Sequence, residues 1–114
     1  MPLPAEGLSS IQEFVGSLNA DMPPHMAGRM RYETRVYRNA VTLVEIAPLD
    51  FQTPGSREFE VPFARLRFTR SQGWELFWSD RNSEFHVYDL VEPTQDVTSL
   101  LATISDDATC IFFG

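Results

Sequence analysis

The sequence contains no lysine, a single cysteine and only two histidines. The lone Cys110 excludes a disulfide within the chain, and His25 and His86 are too far apart for the ligand spacings of a structural zinc site. None of the six glycines belongs to a phosphate-binding loop motif. These absences predict a protein without a resident metal or cofactor.

Long apolar runs are also absent. No stretch approaches the ~20 consecutive apolar residues that a transmembrane helix needs, and residues 1–7 lack the basic and apolar segments of a signal peptide. We therefore expect a cytoplasmic protein that makes no membrane contact. A length of 114 residues with 43% hydrophobic residues is typical of one globular domain. We assign residues 1–7 to a leader and residues 8–114 to the domain.

The charge is acidic and unevenly distributed. The formal net charge is -7, and all nine basic residues are arginine. Eight of these arginines lie in residues 29–70 against five acids, whereas residues 71–114 carry one arginine against eight acids. The overall negative charge repels nucleic acid at long range. The arginine-rich middle of the chain either pairs with acids inside the protein or marks a binding surface.

Apolar residues at helical spacing predict two helices. The first spans about residues 9 to 19, and Ser10 and Glu13 fit a capping box near its start. Its apolar stripe is formed by Leu8, Ile11, Phe14, Val15 and Leu18. The second helix has Asp96 as its expected N-cap. Its apolar stripe is formed by Val97, Leu100, Leu101 and Ile104.

Alternating apolar and polar residues predict five strands joined by short turns. The strands span residues 30–36, 41–47, 59–69, 74–79 and 84–88. The alternation breaks between Leu43 and Val44, which indicates a bulge or burial on both faces. It breaks again beside Pro62, which indicates a bulge or an edge strand.

The order of these elements predicts an α+β domain with a mostly antiparallel sheet of about five strands, an N-terminal helix and a C-terminal helix. The apolar segment of residues 109–114 follows the second helix. Because burial of each large apolar side chain stabilises a fold by about 1.5–3 kcal/mol, we expect this segment to dock on the core.

Side chains alternate between the two faces of a strand, which divides residues 63–88 into two surfaces. The apolar set, assigned to the core, is Ala64, Leu66, Phe68, Trp74, Leu76, Trp78, Phe85 and Val87. The opposite face combines arginines with aromatic rings, and its candidate binding residues are Arg65, Arg67, Phe77, His86 and Tyr88. An open face of this kind binds proteins or nucleic acids. Alternatively, its arginines stack on its own rings and pair with Glu75 beneath a helix.

The sequence shows no catalytic constellation. His86 is the only histidine in the predicted sheet, but Asp89 is expected on the opposite face of its strand and Tyr88 cannot orient the imidazole strongly. His25 follows two prolines in a predicted loop. Cys110 lies in an apolar segment, where a buried thiol is usually inert. An enzyme that uses His86 or Cys110 is therefore the least favoured class of function.

Motifs from Arg31 onward resemble those of the small bacterial domain-of-unknown-function family 3024. They are Arg31-Tyr32-Glu33, Val41-Thr42-Leu43-Val44-Glu45, Ala64-Arg65-Leu66-Arg67-Phe68, Trp74-Glu75-Leu76-Phe77-Trp78, Asp80-Arg81-Asn82, His86-Val87-Tyr88, Leu100-Leu101, Ile104 and the terminal Ile111-Phe112-Phe113-Gly114. Members of the family carry different aromatic residues at Phe77, Phe85 and Phe113, a change that keeps the same fold. The resemblance implies a self-contained domain. It implies no activity, cofactor or site.

The sequence leaves three classes of function open. The leading hypothesis is a small non-catalytic binding module whose Arg/aromatic sheet face contacts a protein partner or a second copy of the chain. The first alternative is single-stranded nucleic-acid binding through the same face, and the second is the enzyme described above. The observation that best separates these hypotheses is whether a helix covers the face.

Overall fold

The computed structural model describes residues 3–50, 52–107 and 111–113, and within them two helices and five strands form an α+β fold. The elements are α1 (Ala5–Ala20), β1 (Arg31–Tyr37), β2 (Ala40–Pro48), β3 (Glu58–Thr69), β4 (Gly73–Ser79), β5 (Phe85–Val87) and α2 (Val97–Asp106). The strands pair antiparallel in the order β1-β2-β3-β4-β5. The predicted fold class is confirmed.

The helix α1 begins at Ala5, four residues earlier than predicted and inside the segment assigned to a leader. Pro4 is its N-cap, with a non-helical ψ of 128°, and the Pro4 carbonyl accepts a hydrogen bond from the Leu8 N–H at 3.0 Å. The predicted capping box is wrong: Ser10 lies in the second turn of α1, and no side chain caps the helix at its N-terminus. The extra turn brings Gly7 into the core.

The helix α2 follows its prediction closely. The side chain of Asp96 accepts a hydrogen bond from the Thr98 N–H and caps the N-terminus, as expected. Asp107 ends the helix in the left-handed conformation, with φ 47°. Its carboxylate then accepts hydrogen bonds from the N–H groups of Phe112 and Phe113 at 3.0 and 2.9 Å. Phe112 is buried, so the described part of the apolar C-terminal segment docks on the core, as predicted.

A bulge marks the middle of the β2–β3 pair. Leu43 lies opposite Ala64 whereas Val44 lies opposite Pro62, which leaves Phe63 as the extra residue. β4 pairs only with residues 64–69 of β3, so Pro62 lies beside the bulge and also in the part of β3 that has one paired neighbour, and both predicted explanations apply. Val44 is also buried, on the opposite face of β2 from Leu43, so both explanations offered for β2 apply.

Two asparagines secure the ends of the β1–β2 hairpin. The side-chain amide of Asn19 donates to the Tyr32 carbonyl at 3.0 Å and accepts from the Tyr32 N–H at 2.8 Å, and thus satisfies edge-strand groups that would otherwise pair with another chain. Asn39 donates to the Phe68 carbonyl at 2.8 Å. At the turn, Arg38 rather than Asn39 has the positive φ, 54°.

Both helices pack on one face of the sheet, where the core lies. Trp74 is 1% exposed and lies at the centre of a cluster that joins the helices to the strands. The other buried members of this cluster are Ile11, Val15, Val41, Leu43, Phe63, Ala64, Leu66, Leu76, Tyr88, Val97, Leu100, Leu101, Ile104 and Phe112. Among the described residues, no helix combines the length and apolarity needed to cross a membrane.

Candidate functional site

The pairing of β5 with β4 corrects the predicted composition of the Arg/aromatic face. Trp78 lies opposite His86, so His86 shares the helix-covered face with Trp78. The two rings are in contact in a tilted arrangement, with centroids 4.8 Å apart. Tyr88 is buried in the core, where its ring contacts that of Phe112. The assignment of His86 and Tyr88 to the Arg/aromatic face is therefore wrong.

The same pairing moves Phe85 and Val87 out of the predicted core. Phe77 lies opposite Val87, and Ser79 lies opposite Phe85, so Phe85 and Val87 share the face of Phe77. Val87 is 45% exposed. Alternation within β5 could not settle this orientation, because both of its residue sets contain apolar or aromatic side chains. The turn between β4 and β5 decides it.

The corrected face, which we call the open face, is the sheet surface opposite α1 and α2. It contains the side chains of Arg65, Arg67, Phe77, Phe85 and Val87. A groove of about 390 Å³ crosses this surface at the β1–β2 turn, and no residue of either helix lines it. This arginine groove is lined by Tyr37, Arg38, Asn39, Ala40, Thr42, Arg65, Arg67, Phe77 and Phe85.

Contacts within the protein hold the two central arginines of the groove in place. The Nε of Arg65 donates to the Thr42 hydroxyl at 2.9 Å, and its guanidinium lies 3.9 Å from the centroid of the Phe85 ring. The guanidinium of Arg67 lies 4.8 Å from the Phe77 centroid and pairs with Glu75 at 2.8 Å. The predicted stacking and the predicted Glu75 pair therefore both occur, but no described helix covers them.

The charges of the groove are only partly neutralised. Arg67 pairs with Glu75, whereas Arg38 and Arg65 form no ion pair with any carboxylate among the described residues. Arg38 is exposed and lies 5.3 Å from the centroid of Tyr37, which is itself 72% exposed. The groove thus presents two guanidinium groups that can donate hydrogen bonds to an anionic partner.

The other half of the open face carries two arginines and three glutamates that form ion pairs with one another, which leaves one excess negative charge. Arg31 pairs with Glu33 and Glu58, and Arg35 pairs with Glu33 and Glu60. The hydrogen bonds from Arg35 and then Arg31 lower the pKa of Glu33. These pairs surround Val44 and Ile46, each 3% exposed, on the same face of the sheet. This half therefore seals apolar side chains and leaves little charge for a ligand.

A second polar site lies at the β4–β5 hairpin and includes His86. Asp80, Glu84 and His86, which we call the hairpin cluster, each place one potential ligand atom within 4.8 Å of the others. Asp80 Oδ2 lies 2.7 Å from His86 Nε2, and its Oδ1 accepts from the N–H groups of Asn82 and Glu84 at 2.8 and 3.0 Å. The hydrogen bond with His86, followed by the one from the Glu84 N–H, lowers the pKa of Asp80.

Sequence reasoning missed Asp80 because it searched for a His86 partner only along the same strand. Asp80 lies between the predicted strands 74–79 and 84–88, and a short antiparallel hairpin brings the residues on either side of its turn together. That signal was available in the sequence. His25 is exposed in the loop between α1 and β1, far in sequence from these groups. Cys110 lies outside the residues that the structure describes.

Together, the five-stranded meander, the two helices on one face and the open second face define a small α+β domain with a candidate recognition surface. The chain belongs to the family described as Domain of unknown function (DUF3024), whose sequence profile matches residues 8–114. No curated protein and no solved structure matches the chain.

Proposed function

We propose that this protein is a binding module that recognises an acidic segment of a protein partner through the arginine groove. The single observation that carries the proposal is the pair of guanidinium groups, Arg38 and Arg65, that lack a carboxylate partner among the described residues beside a groove floored by aromatic rings. A partner with carboxylates and apolar side chains would satisfy both features.

The geometry of the groove favours a specific binding mode over general charge attraction. Arg65 is held by Thr42 and by the Phe85 ring, so its guanidinium has already lost much of its rotamer freedom. A ligand that pairs with a fixed arginine loses less binding free energy to side-chain ordering. Carboxylates also match the planar donor geometry of arginine, which can form two parallel hydrogen bonds.

Single-stranded nucleic acid fits the groove less well. Such ligands stack their bases on exposed aromatic rings. Phe77 is only 8% exposed, and a face of the Phe85 ring is already occupied by Arg65, so Tyr37 is the one well-exposed aromatic ring among the described residues that line the groove. The net charge of -7 also repels a polyanion, whereas a short acidic peptide carries far less charge. An acidic protein segment is therefore the better partner.

The proposal predicts that the double substitution Arg38→Ala and Arg65→Ala weakens binding of acidic peptides by at least about tenfold, because two charge-assisted contacts are lost. The measurement is a peptide array probed with labelled protein, followed by fluorescence anisotropy with the selected peptide and with a thymidine oligonucleotide. We expect the selected peptides to combine Glu or Asp with apolar residues, and the oligonucleotide not to bind.

The matched control is Arg57→Ala with Arg70→Ala, which removes the same charge from two exposed arginines that do not line the groove. This control should retain the affinity of the native protein at constant salt. Equal loss of affinity in both double variants would show that only net charge matters. That result, or selection of peptides without acidic residues, would overturn the proposal.

A further inference from the structure

We propose that the hairpin cluster of Asp80, Glu84 and His86 binds a divalent transition-metal ion. The three side chains offer one imidazole nitrogen and two carboxylate oxygens on a single hairpin. The cluster lies outside the arginine groove and does not depend on the function proposed for it.

The distances between the ligand atoms fit a single ion. Metal–ligand bonds of about 2.1 Å place adjacent ligands at a right angle about 3.0 Å apart, and tetrahedral ligands about 3.4 Å apart. Asp80 Oδ2 and His86 Nε2 are 2.7 Å apart, so a small outward shift of either atom admits the ion between them. A carboxylate oxygen of Glu84 lies within 4.8 Å of both atoms, and a rotation of its exposed side chain would allow it to form the third bond to the metal ion.

The surrounding contacts orient two of the three ligands. The Asn82 and Glu84 N–H groups bind Asp80 Oδ1 and thereby aim Oδ2 at His86. The Trp78 ring packs against the imidazole with the two ring planes tilted by 34°, which restricts rotation of the His86 side chain. Outer contacts of this kind raise metal affinity because they reduce the reorganisation that binding requires.

The ligand set selects the class of ion. One imidazole with two carboxylates suits Zn²⁺, Mn²⁺, Co²⁺ or Ni²⁺, whereas Mg²⁺ and Ca²⁺ prefer oxygen ligands alone. With only three protein ligands on an exposed hairpin, water would complete the coordination shell.

The test uses the purified full chain and two readouts. Zn²⁺ binding is measured by isothermal titration calorimetry, and Ni²⁺ binding by quenching of tryptophan fluorescence, since Trp78 contacts the proposed ligand His86. We expect one Zn²⁺ per chain, quenching by Ni²⁺ that Trp78→Phe reduces, and no binding of Mg²⁺.

Substitutions then assign the ligands. His86→Ala should abolish binding. Glu84→Gln, which changes an exposed side chain without a hydrogen bond or ion pair among the described residues, should weaken it at least about tenfold. His25→Ala is the control and should leave the Zn²⁺ affinity unchanged. Absence of Zn²⁺ binding to the native chain, or equal affinity of the native and Glu84→Gln proteins, would overturn the proposal.

Discussion

Replacing Gly73 with alanine is expected to lower the free energy of unfolding by about 3 kcal/mol or more. This is the largest effect that we predict for any glycine-to-alanine substitution. Two penalties combine at this position. Gly73 has φ +82°, a conformation that alanine adopts only with strain. An added Cβ would also lie 2.6 Å from the Thr94 carbonyl oxygen and 2.8 Å from its carbonyl carbon.

The Thr94 backbone cannot easily move away from this methyl group. Trp74 and Thr94 exchange two backbone hydrogen bonds, at 2.7 and 2.9 Å. A shift of Thr94 would break this bridge and loosen the segment that leads into α2. Trp74 itself would be displaced from the centre of the core, because it directly follows Gly73.

Gly55→Ala is the matched control, because Gly55 has φ +76° but no heavy atom of the described residues lies within 4 Å of the position that its Cβ would occupy. It should cost only the backbone strain, about 1–2 kcal/mol. Urea denaturation of both variants separates the two penalties. If both lost the same stability, the close contact between Gly73 and Thr94 would not be a rigid feature of the fold.

The second large effect is expected at Gly7, where alanine should destabilise the domain by about 1–3 kcal/mol although it favours helix formation. The Cβ would lie 2.5 Å from one carbon of the Trp74 indole and 2.9 Å from two further atoms. Trp74 is 1% exposed and contacts Phe68, so the ring has little room to retreat. Steric overlap should therefore outweigh the gain in helix propensity, which is about 1 kcal/mol.

Gly16→Ala provides the opposite result in the same helix. Gly16 is exposed, and no heavy atom from the described ranges of the chain lies within 4 Å of the position that its Cβ would occupy. This substitution should stabilise the domain by about 1 kcal/mol, since only helix propensity changes. Thermal denaturation of the two variants should shift the midpoint in opposite directions. A higher midpoint for Gly7→Ala would contradict the close packing of α1 on Trp74.

Much of the fold could be predicted because local sequence patterns agree with the final packing. The apolar stripe that ends at Ile104 and the N-cap Asp96 both belong to α2. Each depends only on residues that are a few positions apart in the sequence. The bulge at Phe63 was visible as a break in the alternation beside Pro62. These features depend on the spacing of residues along the chain, which can be read directly from the sequence.

The start of α1 could not be predicted from its caps. Ser10 and Glu13 have the right spacing for a capping box, but Gly7 must lie inside the helix to meet Trp74, more than 60 residues away in sequence. A tertiary contact therefore overrides the local signal. Helices commonly gain most of their stability from packing of this kind.

The candidate site was predicted only in part. Arg65, Arg67 and Phe77 lie on one face because they alternate in strands of clear register. His86 and Tyr88 do not, because the orientation of β5 depends on its pairing with β4 across the turn. Arg38 lies between the predicted strands 30–36 and 41–47, so alternation within a strand could not assign it to a face, whereas the folded turn places it beside the groove.

The open face explains how an acidic protein can present a basic surface. On one half, five charged side chains pair with one another over Val44 and Ile46. On the other half, Glu75 pairs with Arg67, and in the part of the chain that the structure describes no carboxylate pairs with Arg38 or Arg65. The long-range field remains negative, so the groove would select ligands by close contact rather than by steering.

The most direct test of the arginine groove as a binding surface is amide chemical-shift mapping of the isotopically labelled protein with the acidic peptide selected on the array. Binding in the arginine groove should produce shifts that cluster at Tyr37, Thr42 and Phe85, with little change at Val15 and Leu100 beneath the opposite face. Shifts that centre on the two helices, or no shifts at saturating peptide, would contradict it.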